Sequence, residues 1–72
     1  MSAVKRMLDY HINRLKDKRP EARLKAIQEL ALLGHPDALD VLRDVYENDE
    51  DIEVRKAAQQ AGRAIFLNQK GE

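Results

Sequence analysis

The sequence repeats itself at a spacing of 32 residues, and this period constrains the fold more than any other feature. Five residues recur identically, in the pairs Asp17/Asp49, Glu21/Glu53, Arg23/Arg55, Ala26/Ala58 and Gln28/Gln60. Two pairs of similar residues add to them, Ala22/Val54 and Leu33/Ile65. The preceding segments align best at a spacing of 30, so the break before the second match is about two residues longer. A period of this length is typical of a stacked array built from one supersecondary unit.

Helical spacing of apolar residues runs through both copies, and no segment shows the alternation typical of a strand. The first copy predicts helices over about residues 3–17 and 20–33. Pro20 suits the first position of the second helix, because its missing N–H is not needed there. Gly34 suits the residue after that helix, where a left-handed backbone is common. We therefore expect repeat one to be a helix–turn–helix unit over about residues 1–34.

Repeat two is expected to be the same unit over about residues 35–67. Its first helix is predicted to start at Pro36, and its second helix after Asp51, which suits the N-cap position. Residues 68–72 follow the last apolar position and are expected to fray. The 72 residues then form a single domain of the all-α class, an antiparallel four-helix, two-layer α-α solenoid.

The second helix of each copy resembles that of the HEAT-repeat family. The segments that carry the resemblance are Arg19-Pro20-Glu21-Ala22-Arg23-Leu24-Lys25-Ala26-Ile27 and Asp51-Ile52-Glu53-Val54-Arg55-Lys56-Ala57-Ala58. In that family an Asp in the turn between the helices and an Arg six residues later recur in each copy, and this sequence keeps both at that spacing. Within the family, the sequence resembles the bacterial HEAT-like repeats first noted in phycobilisome lyases. The resemblance implies a fold, since the family is defined by packing.

Two features depart from the family pattern. Arg19 in one copy and Asp51-Ile52 in the other each keep only half of the usual Asp-Pro start. Gly62 replaces the usual leucine, which is Leu30 in the first copy. The glycine is expected to thin the core beside the fourth helix, as in a terminal layer.

We expect Asp17, Arg23, Asp49 and Arg55 to form a structural ladder of alternating charges. Arg23 would lie in the first turn of its helix, beside the loop that holds Asp17. Stacking of the second copy would bring Asp49 and Arg55 next to that pair. The alternative is a set of exposed pairs, each contributing about 0–1 kcal/mol.

Catalysis needs converging polar groups, and the sequence offers few. Ser2 is the only serine, and threonine and cysteine are both absent, so no hydroxyl or thiol nucleophile can be paired with a base. His11 falls on the apolar stripe of the first helix and is expected to be a partly buried core or interface residue. His35 lies between a glycine and a proline and is expected to be a turn residue. We therefore predict no catalytic residue and no enzyme.

The acidic run at residues 49–51, with Glu53, is the one candidate for a cation site. It lacks the spacing and the glycine of a calcium loop, so a polar turn followed by an N-cap explains it better. The glycines are isolated, so no phosphate-binding loop is expected. No metal-binding or cofactor-binding residue is predicted.

Charge is balanced in the whole chain but divided along it. Thirteen Lys and Arg match thirteen Asp and Glu, which argues against a general nucleic-acid binder. Residues 1–35 carry eight basic and four acidic residues, whereas residues 36–72 carry five and nine. This division indicates either two solvated faces, or an electrostatic footprint for head-to-tail contacts or for one charged partner.

A two-layer array leaves apolar ends uncovered, and such surfaces mark interaction sites. The expected function is therefore a small non-enzymatic protein–protein interaction module or adaptor, acting by self-association or by docking on a larger assembly. Tyrosine and arginine are typical interface anchors. The residues expected to contact a partner are Tyr10, Arg14, Tyr46, Arg63, Phe66 and Leu67.

Two alternatives stay open. The resemblance to phycobilisome-lyase repeats suggests an accessory subunit or assembly factor of a pigment–protein complex, although two layers enclose no pocket for a tetrapyrrole. The basic patch from Lys16 to Lys25 suggests a nucleic-acid-associated module, which the zero net charge disfavours. No apolar run approaches a membrane span and no signal-peptide core is present, so the cytoplasm is the expected compartment.

Overall fold

Four α-helices joined by short loops build the part of the chain that the structure describes. A computed structural model covers residues 2–70, with side chains as far as Gln69. The elements are α1 (Ala3–Arg14), α2 (Pro20–Leu33), a 3-10 turn (Pro36–Ala38), α3 (Leu39–Asn48) and α4 (Ile52–Lys70). No β-strand occurs among these residues, and none of their helices is long and apolar enough to cross a membrane.

The helices pack as two stacked pairs. α1 packs on α2 and α3 packs on α4, while α2 and α4 pack on each other. We call the α1/α2 pair layer one and the α3/α4 pair layer two. The predicted all-α, four-helix, two-layer architecture is confirmed.

Polar side chains fix the starts of two helices. The Oγ atom of Ser2 accepts a hydrogen bond from the N–H of Lys5 at 3.1 Å and caps α1. At the start of α4, Oδ1 of Asp51 accepts from the N–H groups of Glu53 and Val54, at 2.9 and 3.1 Å. Asp51 is therefore the N-cap that the sequence predicted.

Three helix boundaries differ from the expected ones. α1 ends at Arg14, because the next three N–H groups bond to carbonyls three residues back and tighten the chain into a turn. α3 begins at Leu39, because Pro36–Ala38, where the third helix was predicted to start, form a 3-10 turn. α4 continues through Lys70, beyond the predicted last apolar position, and the fraying of residues 68–72 stays a prediction. Gly71 and Glu72 lie outside the described residues.

The core lies where α2 meets the helices on both of its sides. The largest fully buried side chains are Leu8, Ile27, Leu30, Leu42, Val54 and Ile65. α2 supplies more of the buried residues than α1, in which only Leu8 is buried. α2 and α4 each pack on two helices and are the central elements, and α1 is attached to α2 from one side.

The two inner glycines have opposite structural roles. Gly34 follows α2 with a φ of +68°, and its N–H donates to the carbonyl of Leu30 at 3.0 Å, which is the left-handed cap that the sequence predicted. Gly62 lies inside α4, where an added Cβ would meet the Cβ of Leu42 at 4.0 Å, an ordinary contact distance. Only Gly34 therefore needs to be glycine for backbone reasons.

This difference predicts stability changes of opposite sign. Gly34→Ala is expected to lower the free energy of unfolding by about 1 kcal/mol, because alanine is strained at positive φ. Gly62→Ala is expected to raise it by up to about 1 kcal/mol, because alanine favours a helix and the site has room. Urea denaturation of both variants measures the difference, and two changes of the same sign would contradict it.

Candidate protein-interaction surfaces

Arg23 ties together the loops that connect the helices within each layer. Its Nε and Nη2 atoms donate to Oδ2 and Oδ1 of Asp49, at 2.8 and 3.0 Å. Its Nη1 atom donates to the carbonyl oxygens of Asp17 and Lys18, also at 2.8 and 3.0 Å. We call this arrangement the Arg23–Asp49 clasp. It fixes the loop of layer one against the loop of layer two.

The clasp is nearly closed to water. The side chains of Arg23 and Asp49 are only 8% and 9% exposed. Oδ1 of Asp49 also accepts the N–H of Asp51 at 2.9 Å, so the carboxylate is satisfied on both oxygens. The hydrogen bonds that Arg23 donates to Asp49 raise the pKa of Arg23 above its ordinary value, against the opposing effect of desolvation. A charged, bidentate pair at this distance is a strong and geometrically specific contact.

The ladder prediction required the side chain of Asp17 to pair with that of Arg23, and this pair does not form. The Oδ1 atom of Asp17 accepts instead from the backbone N–H and from Nε of Arg19, at 2.9 and 3.3 Å. The backbone hydrogen bond, followed by the side-chain one, holds the pKa of Asp17 below its usual value. Hydrogen bonding to Asp17 raises the pKa of Arg19 in turn.

Like the side chain of Asp17, the side chain of Arg55 takes no part in the Arg23–Asp49 clasp. Its Nε atom donates to the carbonyl of Tyr46 at 3.0 Å, and it forms no ion pair within residues 2–69. The ion pair that forms joins the arginine of layer one to the aspartate of layer two. If the same pairing continued, Arg55 of layer two would bind an aspartate of a following layer.

A groove runs between α3 and α4 on the open side of layer two, and we call it the α3/α4 groove. It is lined by Leu39, Asp40, Leu42, Arg43 and Tyr46 of α3 and by Ala58, Gln59, Gly62, Arg63 and Phe66 of α4. No residue of layer one lines this groove, and the main contact between the layers is that of α2 with α4. Its volume is about 410 Å³.

Half of the residues predicted to contact a partner meet in this groove. They are Tyr46, Arg63 and Phe66. Tyr46 is 39% and Phe66 is 52% exposed, and Gly62 leaves the floor between the helices without a side chain. The α3/α4 groove therefore combines an apolar floor, aromatic walls and a cationic rim.

Tyr10 and Arg14 lie instead in a groove between α1 and α2, the α1/α2 groove. It is lined by Tyr10, His11, Arg14, Lys25, Ala26 and Glu29. The guanidinium carbon of Arg14 is 5.9 Å from the centre of the Tyr10 ring, and the partly buried His11 ring meets that ring edge-on at 5.1 Å. Leu67, the remaining predicted contact residue, is exposed but lines neither groove.

The sequence did not single out Arg43 and Gln59, which also line the α3/α4 groove. Gln59 lies seven residues before Phe66, on the same face of α4, so helical spacing alone could have identified it. Arg43 lies three residues before Tyr46, on the same face of α3, so the same spacing could have identified it.

The acidic run and the second histidine both serve the local structure. Asp49 belongs to the clasp and Asp51 caps α4, which fits the predicted polar turn and N-cap. Nδ1 of His35 accepts the N–H of Asp37 at 3.1 Å, so His35 lies in a turn as predicted. Among the described residues, no group of three His, Asp or Glu side chains is placed to hold a metal ion.

The basic patch from Lys16 to Lys25 is smaller than the sequence suggested. Arg23 is buried in the clasp, Arg19 pairs with Asp17, and Lys25 lies 3.9 Å from Glu29. These contacts reduce the charge that the patch can offer to a polyanion. The nucleic-acid and pigment–protein alternatives stay predictions.

The fold, a stack of two helix pairs, is that of an α-helical repeat protein. Residues 3–63 match the family of HEAT repeats. This match covers most of the 72 residues, and the chain belongs to the HEAT-repeat family. Repeats of this family generally mediate protein–protein interaction and are typically non-catalytic scaffolds. No curated protein matches the chain, and no solved structure does.

Proposed function

We propose that this chain is a small, non-enzymatic protein–protein interaction module or adaptor that acts by self-association or by docking on a larger assembly. The observation that carries this proposal is the α3/α4 groove, which is lined by exposed aromatic side chains of two helices, by apolar residues and by Gly62. We place the protein in the cytoplasm, since the sequence has no cysteine for the disulfides that small secreted domains usually need.

The chemistry of the groove suits a protein partner. Leu39, Tyr46 and Phe66 supply apolar contact area, while Arg43 and Arg63 supply charged donors for carboxylates or carbonyl oxygens at the rim. Aromatic residues and arginine are enriched at the centres of protein interfaces, where a few anchors carry most of the binding energy. The Arg23–Asp49 clasp supports this role, because it holds the two layers in a fixed arrangement behind the groove.

Site-specific photo-crosslinking in cells that express the chain tests this surface. A photoreactive amino acid placed at Gln59, which lines the groove, is expected to form discrete covalent adducts with protein. The same amino acid at Gln60 is the matched control, since this neighbour is also exposed but lies outside the groove. Adducts that are absent at both positions, or equally abundant at both, would remove the groove as the binding surface.

Adjacent substitutions at the end of α4 sharpen the test. Phe66→Ala is expected to weaken groove-dependent binding about tenfold or more, as the loss of an aromatic anchor does at other interfaces. Leu67→Ala is expected to leave binding unchanged, because Leu67 is as exposed as Phe66 (51% against 52%) but does not line the groove. The yield of the adduct at position 59 measures both, and circular dichroism checks that helicity is retained. Equal losses from the two substitutions would argue against the groove.

A further inference from the structure

We infer that the α3/α4 groove binds the open side of layer one of a second copy of this chain, so that copies stack head to tail. This inference rests on the proposed function and names the partner of that same groove. The contact between the two layers of one copy is the model for the contact between copies. The spacing of 32 residues relates each side of that contact to the corresponding face of the other layer, which no layer of the same copy covers among the described residues.

The groove residues of α4 occupy positions that are covered inside the chain. At the spacing of 32, Gln59 and Gly62 correspond to Ile27 and Leu30, which are buried in the core between the layers. In α2 this face is buried because layer two lies on it. In α4 the equivalent face lines the α3/α4 groove.

The α1/α2 groove supplies the matching half. Its residues Lys25 and Glu29 correspond to Ala57 and Ala61, which pack into the core in layer two. In layer two this is the face that turns toward the preceding layer, and among the described residues only α1 and α2 line the α1/α2 groove. The α3/α4 groove and the α1/α2 groove are therefore equivalent to the two faces that already meet between layer one and layer two.

Residue size and one pair of charges are complementary across the junction between copies. Inside the chain, the small Ala61 lies on α4, which packs on α2, and the large Leu30 lies on α2. Between copies, the longer Glu29 would meet Gly62, whose neighbour Arg63 supplies a guanidinium for its carboxylate. The larger residue then comes from the other face, and Glu29, which lies 3.9 Å from Lys25 in its own copy, gains an arginine partner.

The clasp predicts a second charged contact at the same junction. Arg23 of layer one binds Asp49 of layer two, and at the spacing of 32 these residues correspond to Arg55 and to Asp17 of a following copy. Arg55 forms no ion pair within the described residues, and the carboxylate of Asp17 is held at the surface by Arg19. Stacking would bring the two together.

Net charge favours the same orientation. Residues 1–35 carry a surplus of four positive charges and residues 36–72 a surplus of four negative charges, so these halves of different copies attract each other at long range, while each groove itself is lined by two basic residues and one acidic residue. Two helices of about 20 Å offer roughly 400 Å² per partner, which is below the size of a standard stable interface. The association is therefore expected to be weak, salt-sensitive and dependent on concentration.

Charge reversal across the junction, followed by sedimentation equilibrium from about 10 μM to about 1 mM, tests the pairing. Glu29→Arg and Arg63→Glu are each expected to weaken self-association about tenfold, because each places like charges opposite one another. A 1:1 mixture of the two variants, or the double variant, is expected to restore association. Lys56→Glu is the control, since it makes the same charge change on α4 outside the groove.

Each outcome decides the matter. Restoration by the mixture supports the head-to-tail junction, whereas weakening by Arg63→Glu alone, with Glu29→Arg neutral, would indicate grooves meeting face to face and overturn it. A wild-type chain that stays monomeric at about 1 mM overturns it as well. In that case the photo-crosslinks at position 59 still decide the proposed function, because a groove that captures a different protein requires no self-association.

Discussion

Replacing Arg23 with alanine is expected to lower the free energy of unfolding by about 3 kcal/mol, measured by urea denaturation. The change leaves the carboxylate of Asp49 buried without its ion-pair partner, and it removes the donor to the carbonyls of Asp17 and Lys18. Losing one partner of a buried pair typically costs about 3–5 kcal/mol. The lower end applies because both loops lie at the surface, where water can reach the remaining carboxylate. For a chain of 72 residues this is a large share of the total stability.

Arg55→Ala is the matched control for this prediction. Arg55 holds the same position in the second repeat but makes only a hydrogen bond to the carbonyl of Tyr46, so its loss is expected to cost no more than about 1 kcal/mol. A double-mutant cycle with Asp49→Ala isolates the pair itself. Additive effects of Arg23→Ala and Asp49→Ala would show that the two side chains do not stabilise each other.

Leu8→Ala is expected to destabilise the protein by about 3 kcal/mol and to detach α1 before the rest unfolds. Leu8 is 0% exposed and is the one buried residue within α1, which packs on α2 alone among the major helix contacts. Loss of its side chain leaves little to hold α1 in place. Hydrogen exchange should then show that the amides of α1 lose protection while those of α2 and α4 keep more of theirs.

Met7→Ala provides the comparison, because Met7 precedes Leu8 in the same helix and is 49% exposed. Its effect on the free energy of unfolding is expected to stay within about 0.5 kcal/mol. If Leu8→Ala leaves the protection of α1 intact, or if all helices lose protection together, the local attachment of α1 is disproved.

Features set by neighbouring residues could be predicted from the sequence. The spacing of apolar residues, Pro20 at a helix start, Gly34 after a helix end and Asp51 as a cap each act within about one turn. These predictions hold in the structure. The family resemblance holds for the same reason, since the repeated pattern encodes packing.

Features set by the relation between layers could not be predicted in detail. The ladder was expected to alternate charges across neighbouring loops, but Asp17 bonds to Arg19, and Arg23 alone of the two arginines forms an ion pair with the other layer. The partner of Arg23 depends on how far layer two is displaced along layer one, and no local pattern encodes that displacement. The candidate contact residues separate for the same reason, with Tyr10 and Phe66 in different grooves.

The direction of the clasp has a consequence for how such chains change length during evolution. Because the arginine of one layer binds the aspartate of the next, each layer carries one half of the contact on either side. A duplicated segment of 32 residues inserted after Gly34 would bring its own arginine and aspartate and satisfy both new junctions. Gene duplication can therefore lengthen this chain by whole layers, whereas an insertion of half a layer would leave a buried charge without its counter-ion.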